Sequence, residues 1–211
     1  MKGRQRRGGR LVSETQSAKA RAKESKQFYG WFDLGRTIPI FIFTIFRAWR
    51  KTRFMLCKFP AVLDQALMSF TLKKSIFINE TQGKALLAYL NSSFAQFYVE
   101  NNGLKTPSGI IQLDVSKARE MPVLDVRKLN DKQLSLLAKL FDELEREARK
   151  IGGASRREEI EKLKPKIYEI NRTVAGLLGI KDEDVKNVEA QVDLMVERRV
   201  SVARRAKGSG S

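Results

Sequence analysis

The run Arg47-Ala-Trp-Arg-Lys-Thr-Arg53 sets four cations around one tryptophan within seven residues. The chemistry available to such a group is recognition rather than bond making. Arg47, Arg50, Lys51 and Arg53 suit phosphate oxygens, and arginine also makes paired hydrogen bonds to guanine in the major groove. Trp49 either stacks on a base or sugar or, beside an apolar strand, packs into a core. Lys73 and Lys74, and the loop of Asn101, Asn102 and Lys105, are further candidates, because asparagine pairs with adenine and Gly103 lets a backbone come close. Arg4, Arg6 and Arg7 belong to a basic N-terminal stretch suited to phosphate contact.

The types of residue that would make bonds are largely missing. The chain has no histidine and one cysteine, Cys57. That removes the usual general base, the commonest zinc ligand and any Ser-His or Cys-His pair. Cys57 reads as a small packed hydrophobe. The carboxylate groups Glu158-Glu159 and Asp182-Glu183-Asp184 fall at expected helix starts, where they complement the helix dipole. A formal net charge of +17 gives the chain a field that attracts polyanions. The excess concentrates in 1–26 and 47–58, whereas 142–161 is mixed in sign and reads as a solvated helix surface.

The elements that must position these residues can be read from periodicity. Apolar runs predict strands near 38–46, 53–59, 70–78 and 109–114. The first, Ile38 to Phe46, is too short to span a bilayer and reads as a strand covered on both faces. Leu86, Leu87, Leu90, Phe94, Phe97 and Tyr98 share one face of a helix expected over about 82–100. Leu134, Leu137, Phe141, Leu144 and Ala148 form a packing seam on a helix capped by Asn130. A second seam runs through Ile160, Leu163, Ile167, Ile170, Val174 and Leu177 behind a capping box at Ser155 to Glu158, with a kink or restart expected at Pro165. A last helix carries Val185, Val188, Val192 and Met195, with Arg199 where a seam wants a hydrophobe.

The fold expected is α+β: a small mixed α/β recognition region followed by a hairpin or bundle of long helices. Its parts are a basic flexible arm over 1–26, an α/β target-recognition region over 28–128, a helical region over 129–207 and a probable tag scar at 208–211. Without an apolar leader or spanning segment, a cytoplasmic protein with no membrane partner is expected.

The phrase Leu86-Leu-Ala-Tyr-Leu-Asn-Ser-Ser93, the loop Gly109-Ile-Ile-Gln-Leu and the turn Met121-Pro-Val-Leu-Asp125, followed by a long seamed helix, carry a resemblance. In this order they resemble the C-terminal specificity domain of the TaqI-like adenine-N6 DNA methyltransferases and related restriction-modification enzymes, over about 28–205. The resemblance implies sequence-specific recognition of double-stranded DNA. It also implies a methyltransferase catalytic domain or subunit as second partner, which would bind S-adenosylmethionine. The family's Pro-Pro-Tyr or Pro-Pro-Phe signature is absent, as is a Gly-rich cofactor loop after a strand. A binding module with no cofactor or metal of its own, and not an enzyme, is therefore expected. The alternatives are an RNA-binding or ribosome-associated basic protein, and a helical protein-interaction subunit.

Overall fold

A computed structural model of the chain describes residues 4–7, 10–13, 32–36, 41–45, 47–58, 67–70, 78–154 and 156–208. They fall into two compact units, one of Met1–Phe41 with Leu56–Gln65 and the other of Ile42–Met55 with Ala66–Ser211. The fold is α+β, with its long helices in the C-terminal part.

The first unit contains strands β1 (Arg4–Arg7), β2 (Arg10–Ser13) and β3 (Phe32–Arg36), an antiparallel sheet in that order. Arg7 pairs with Arg10, and the residues between them in sequence are Gly8 and Gly9. Glycine pairs are favoured between the strands of a two-residue hairpin. In these two strands, pairing satisfies the backbone groups of polar residues that have little to bury. Apart from these two strands, 1–26 lies outside the described residues.

Three further strands, β4 (Phe41–Ile45), β6 (Phe54–Cys57) and β7 (Leu67–Phe70), form a sheet in the order β6-β4-β7. In β4, Ile42 and Thr44 are buried while Ile45 is 38% exposed. On the alternate face of β4, Ile45 at the strand's end is the one side chain among the described residues. Thr44, the polar member of the buried face, donates its hydroxyl to the Arg53 carbonyl at 2.7 Å. Residues 38–40, 46, 59 and 71–77 of the expected strands lie outside the described residues. A third small sheet joins β5 (Arg47–Ala48), β9 (Ile111–Gln112) and β8 (Leu104–Lys105) in the order β5-β9-β8, so only two residues of the strand expected over 109–114 pair.

The helix expected over 82–100 is two helices, α1 (Glu80–Leu90) and α2 (Ser93–Asn102). The break falls in the Asn91-Ser92 pair, which the apolar spacing passes over. Asn91 donates Nδ2 to the carbonyls of Leu87 and Phe54, and its Oδ1 accepts from the Phe54 amide. Its amide side chain therefore acts as an extra strand residue beside β6. Ser92 caps α2. This division leaves Leu86, Leu87 and Leu90 in the core but turns Phe97 outward, 40% exposed.

After the short helix α3 (Val115–Glu120), Met121 is buried and the Tyr89 hydroxyl donates to the Pro122 carbonyl, fixing the turn to Asp125. Asn130 caps α4 (Asp131–Lys150) with a reciprocal bond from Gln133, and Leu134, Leu137, Phe141 and Leu144 are buried as the seam requires. The cap of α5 (Arg157–Leu178) is one residue later than expected: Glu159 accepts from the Arg156 amide. Pro165 neither ends nor restarts α5, which runs through it. Only one backbone donor is forfeited there, and seam residues Ile160 to Val174 remain buried on either side. In α6 (Asp182–Gly208), Val185, Val192, Val196 and Val200 are buried. Within the second unit α1 packs on α4 and α2 on α6.

Candidate nucleic-acid interface

The loop from β5 to β6 holds the run 47–53, and three devices in α2 and α6 fix its shape. The first is Arg199, the polar residue in the last seam. It is 7% exposed and grips Glu100, itself fully buried, through Nε to Oε2 (3.1 Å) and Nη2 to Oε1 (2.8 Å). Its remaining N–H groups donate to the carbonyls of Trp49 (2.8 Å), Arg50 (2.7 Å) and Gly109. One guanidinium thus joins α6, α2, the 47–53 loop and the β8–β9 turn. Paired charge and added hydrogen bonds are what make a buried ion acceptable.

Gln96 is the second device. Its Oε1 accepts from the Thr52 amide at 3.0 Å and its Nε2 donates to Glu100 at 3.2 Å, so the loop backbone and the buried carboxylate are tied together. The third is an acidic stripe on α6, Glu189, Asp193 and Glu197, spaced four residues apart and so on one face. Glu189 accepts from Asn171, whose amide also holds Ser93 through Oδ1 and Nδ2. Asp193 takes Lys51 at 2.6 Å and Lys164 at 2.8 Å, and Glu197 takes Arg50 at 2.7 Å. Burial would raise the Asp193 carboxyl, but hydrogen bonds from Lys164 and Lys51 outweigh it and hold the group below the usual aspartate range.

The β8–β9 turn depends on two glycines. Gly109 sits at φ 78°, where a side chain would be strained, and its carbonyl is one of those that Arg199 holds. A Cβ on Gly103 would lie 2.8 Å from both Ile111 Cγ1 and the Val99 carbonyl, so only glycine lets β8 leave α2 this close to β9.

These constraints sort the residues expected to contact DNA. Arg50 and Lys51 are committed to ion pairs within the chain. Burial lowers the Lys51 ammonium from its ordinary value, against the pull of Asp193. Arg47 is exposed, with Nε donating to Gln112 Oε1 at 3.1 Å, and Trp49 is 39% exposed. Arg53 is half-buried. The register pairs Arg47, Gln112 and Leu104 in one row, so the solvent face of this sheet carries Arg47 beside a glutamine that the sequence reading passed over. Glutamine, like asparagine, can make paired bonds to adenine. Lys105 is exposed on the adjoining row, at the sheet edge. Asn101 and Asn102 are exposed, but each donates Nδ2 back to its own helix, to Phe97 and Tyr98 carbonyls. Arg4, Arg6 and Arg7 belong to β1 in the other unit. Lys73 and Lys74 lie outside the described residues.

A shallow groove between α1 and α4, lined by Glu80, Lys84, Lys139, Asp142, Glu143 and Arg146 among others, is mixed in charge. Lys84 pairs across it with Asp142 at 2.9 Å. Cys57 is buried, and no helix among the described residues is long and apolar enough to cross a membrane. Among the described residues no cluster of three or more metal-ligating side chains is present.

No protein-family model matches the chain, and no match was found among curated proteins or among solved structures.

Proposed function

We propose that this chain is a sequence-specific double-stranded DNA recognition module of the kind that serves a DNA methyltransferase or restriction-modification system. In this reading it works with a separate catalytic domain or subunit that binds S-adenosylmethionine, and performs no chemistry itself. The observation that carries the reading is the loop 47–53 clamped from behind by Arg199, Gln96 and the α6 acids, which leaves Arg47 and Trp49 facing solvent. A loop already held in one shape loses little entropy on binding. Its exposed face offers a guanidinium, an indole and the Gln112 amide together, in a chain of net charge +17.

The test is fluorescence anisotropy with labelled duplexes across a salt series. Binding is expected to weaken steeply with salt, because counterions leave each phosphate contacted. Replacing Arg47 and Gln112 by Ala should narrow the gap between a selected sequence and random duplex, with about 1–3 kcal/mol of discrimination at stake for each base read. A flat salt response would overturn the electrostatic part of the reading, and an unchanged gap would remove these two residues from base recognition. Calorimetry with S-adenosylmethionine is expected to show no saturable binding.

The exposed Trp49 favours a second reading, a single-stranded nucleic acid or RNA binder that stacks an unpaired base on the indole. Competition between duplex, single strand and folded RNA separates the two.

A further inference from the structure

We propose that the open donor edge of Arg53 forms a receptor for a tetrahedral phosphate. Arg53 Nε and Nη2 are shielded from solvent and have no hydrogen-bond partner. These two N–H groups form one edge of the guanidinium and point in parallel, the geometry that takes two oxygens of a single oxyanion. Arg199 uses the same edge, Nε with Nη2, to hold the two oxygens of Glu100. Arg53 therefore presents the donor half of such a pair with the acceptor half absent among the described residues. Folded proteins rarely leave a buried donor unpaired, still less two on a charged group.

Among the described residues, the surroundings of Arg53 favour an anion. Burial alone acts on its guanidinium, pushing it down to about 10, so it stays cationic at neutral pH without a neighbouring carboxylate. Lys51 is close enough to both Arg53 and Lys164 to be disfavoured by their charge. The carboxylates that pair with Lys51 and Lys164 are Asp193 and Glu161. Thr52 and Phe54 are buried and bonded to Gln96 and Asn91, which fixes the backbone on either side of Arg53. The side chain leaves a fixed backbone, and since the residue as a whole is half-buried, binding requires the side chain to turn its open edge toward solvent. A phosphate fits better than a carboxylate: after two of its oxygens occupy the arginine edge, others remain for water, whereas a carboxylate spends both of its oxygens on the arginine. The duplex backbone as the source of that phosphate rests on the reading above; the receptor itself does not.

The experiment is a thermal-unfolding titration of the full chain with inorganic phosphate, with acetate and chloride at matched ionic strength as controls, on the native protein and on Arg53→Met. Phosphate should raise Tm saturably in the native protein, acetate and chloride should not, and Arg53→Met should abolish the rise. Without phosphate, Arg53→Met should unfold at the native Tm or above it, since it removes an unpaired buried charge. A lower Tm for Arg53→Met, an unchanged phosphate response, or an equal response to acetate would each overturn the receptor. In duplex titrations the variant's slope of log affinity against log salt should fall by about 0.9, the loss of one phosphate contact. An unchanged slope with the phosphate response lost would overturn the duplex backbone as source and leave a site for free phosphate. Failure of the native chain to bind duplex at all would overturn the functional reading without touching the Tm result.

Discussion

Two arginines in the same unit, Arg199 and Arg53, both have guanidinium nitrogens shielded from solvent and differ in what those nitrogens meet. Arg199 spends its N–H groups on Glu100 and three backbone carbonyls drawn from distant parts of the chain. Arg53 has a whole donor edge with no acceptor. The first is a structural tie whose cost of desolvation is offset by its partners. The second is an unmet demand, where the other buried side-chain nitrogens and oxygens among the described residues have partners. The contrast teaches that a basic residue's role depends on what faces its nitrogens: Arg50 and Lys51 stand in the same cationic run as Arg53 but are ion-paired to α6.

The largest effect should come from Arg199→Met. It strands the Glu100 carboxylate, which is fully buried, and a loss of about 3–5 kcal/mol is expected from denaturant midpoints. Adding Glu100→Leu should recover much of that loss, because replacing both members of a buried pair by apolar groups is often close to neutral. Failure of the second change to recover anything would mean that the three carbonyl contacts, not the ion pair, do the work. A smaller loss, about 1–2 kcal/mol, is expected for Gly109→Ala, which forces a side chain into the left-handed region and shifts a carbonyl that Arg199 holds. If Gly109→Ala is neutral in chemical unfolding, the β8–β9 turn is not part of the tie.

Arg53→Met sharpens the comparison from the other side, with no loss of chemical stability expected where Arg199→Met loses most. The smallest effect belongs to Asp193→Asn. Its ion pairs are partly exposed, and about 0–1 kcal/mol is the range for such pairs. Because the folded carboxyl is held below its ordinary 3.8, its contribution is present above that pH and lost as pH falls through the lower folded value. The stability gap between native protein and Asp193→Asn should therefore be constant from neutral pH to about pH 4 and close only in stronger acid. A gap that closes near pH 6 would contradict the assigned shift.

Periodicity made the helical part legible. The seam from Leu134 to Leu144 and the Asn130 cap depend on residues a few positions apart, and the structure has them as expected. The division of 82–100 into two helices was hidden because its apolar spacing continues through the break. What makes the break is Asn91 reaching Phe54, 37 residues away. Arg199 stood out as a polar residue in an apolar seam, a signal that could have prompted a search for a buried acid. Its partner Glu100 lies 99 residues earlier in an otherwise ordinary helix, and nothing local marks it. The same distance explains Arg50 and Lys51: their charge was visible in the run, and the acids that neutralise them were not.

The tie also orders events in time. Chains are made N-terminus first at about 5–20 residues per second, and Trp49 precedes Arg199 by 150 residues. The 47–53 loop therefore waits roughly 8–30 s, at that rate of synthesis, before the residue that shapes it leaves the ribosome. During that interval its cations lack the α6 acids, so the 47–53 loop takes its shape only after α6 has been made.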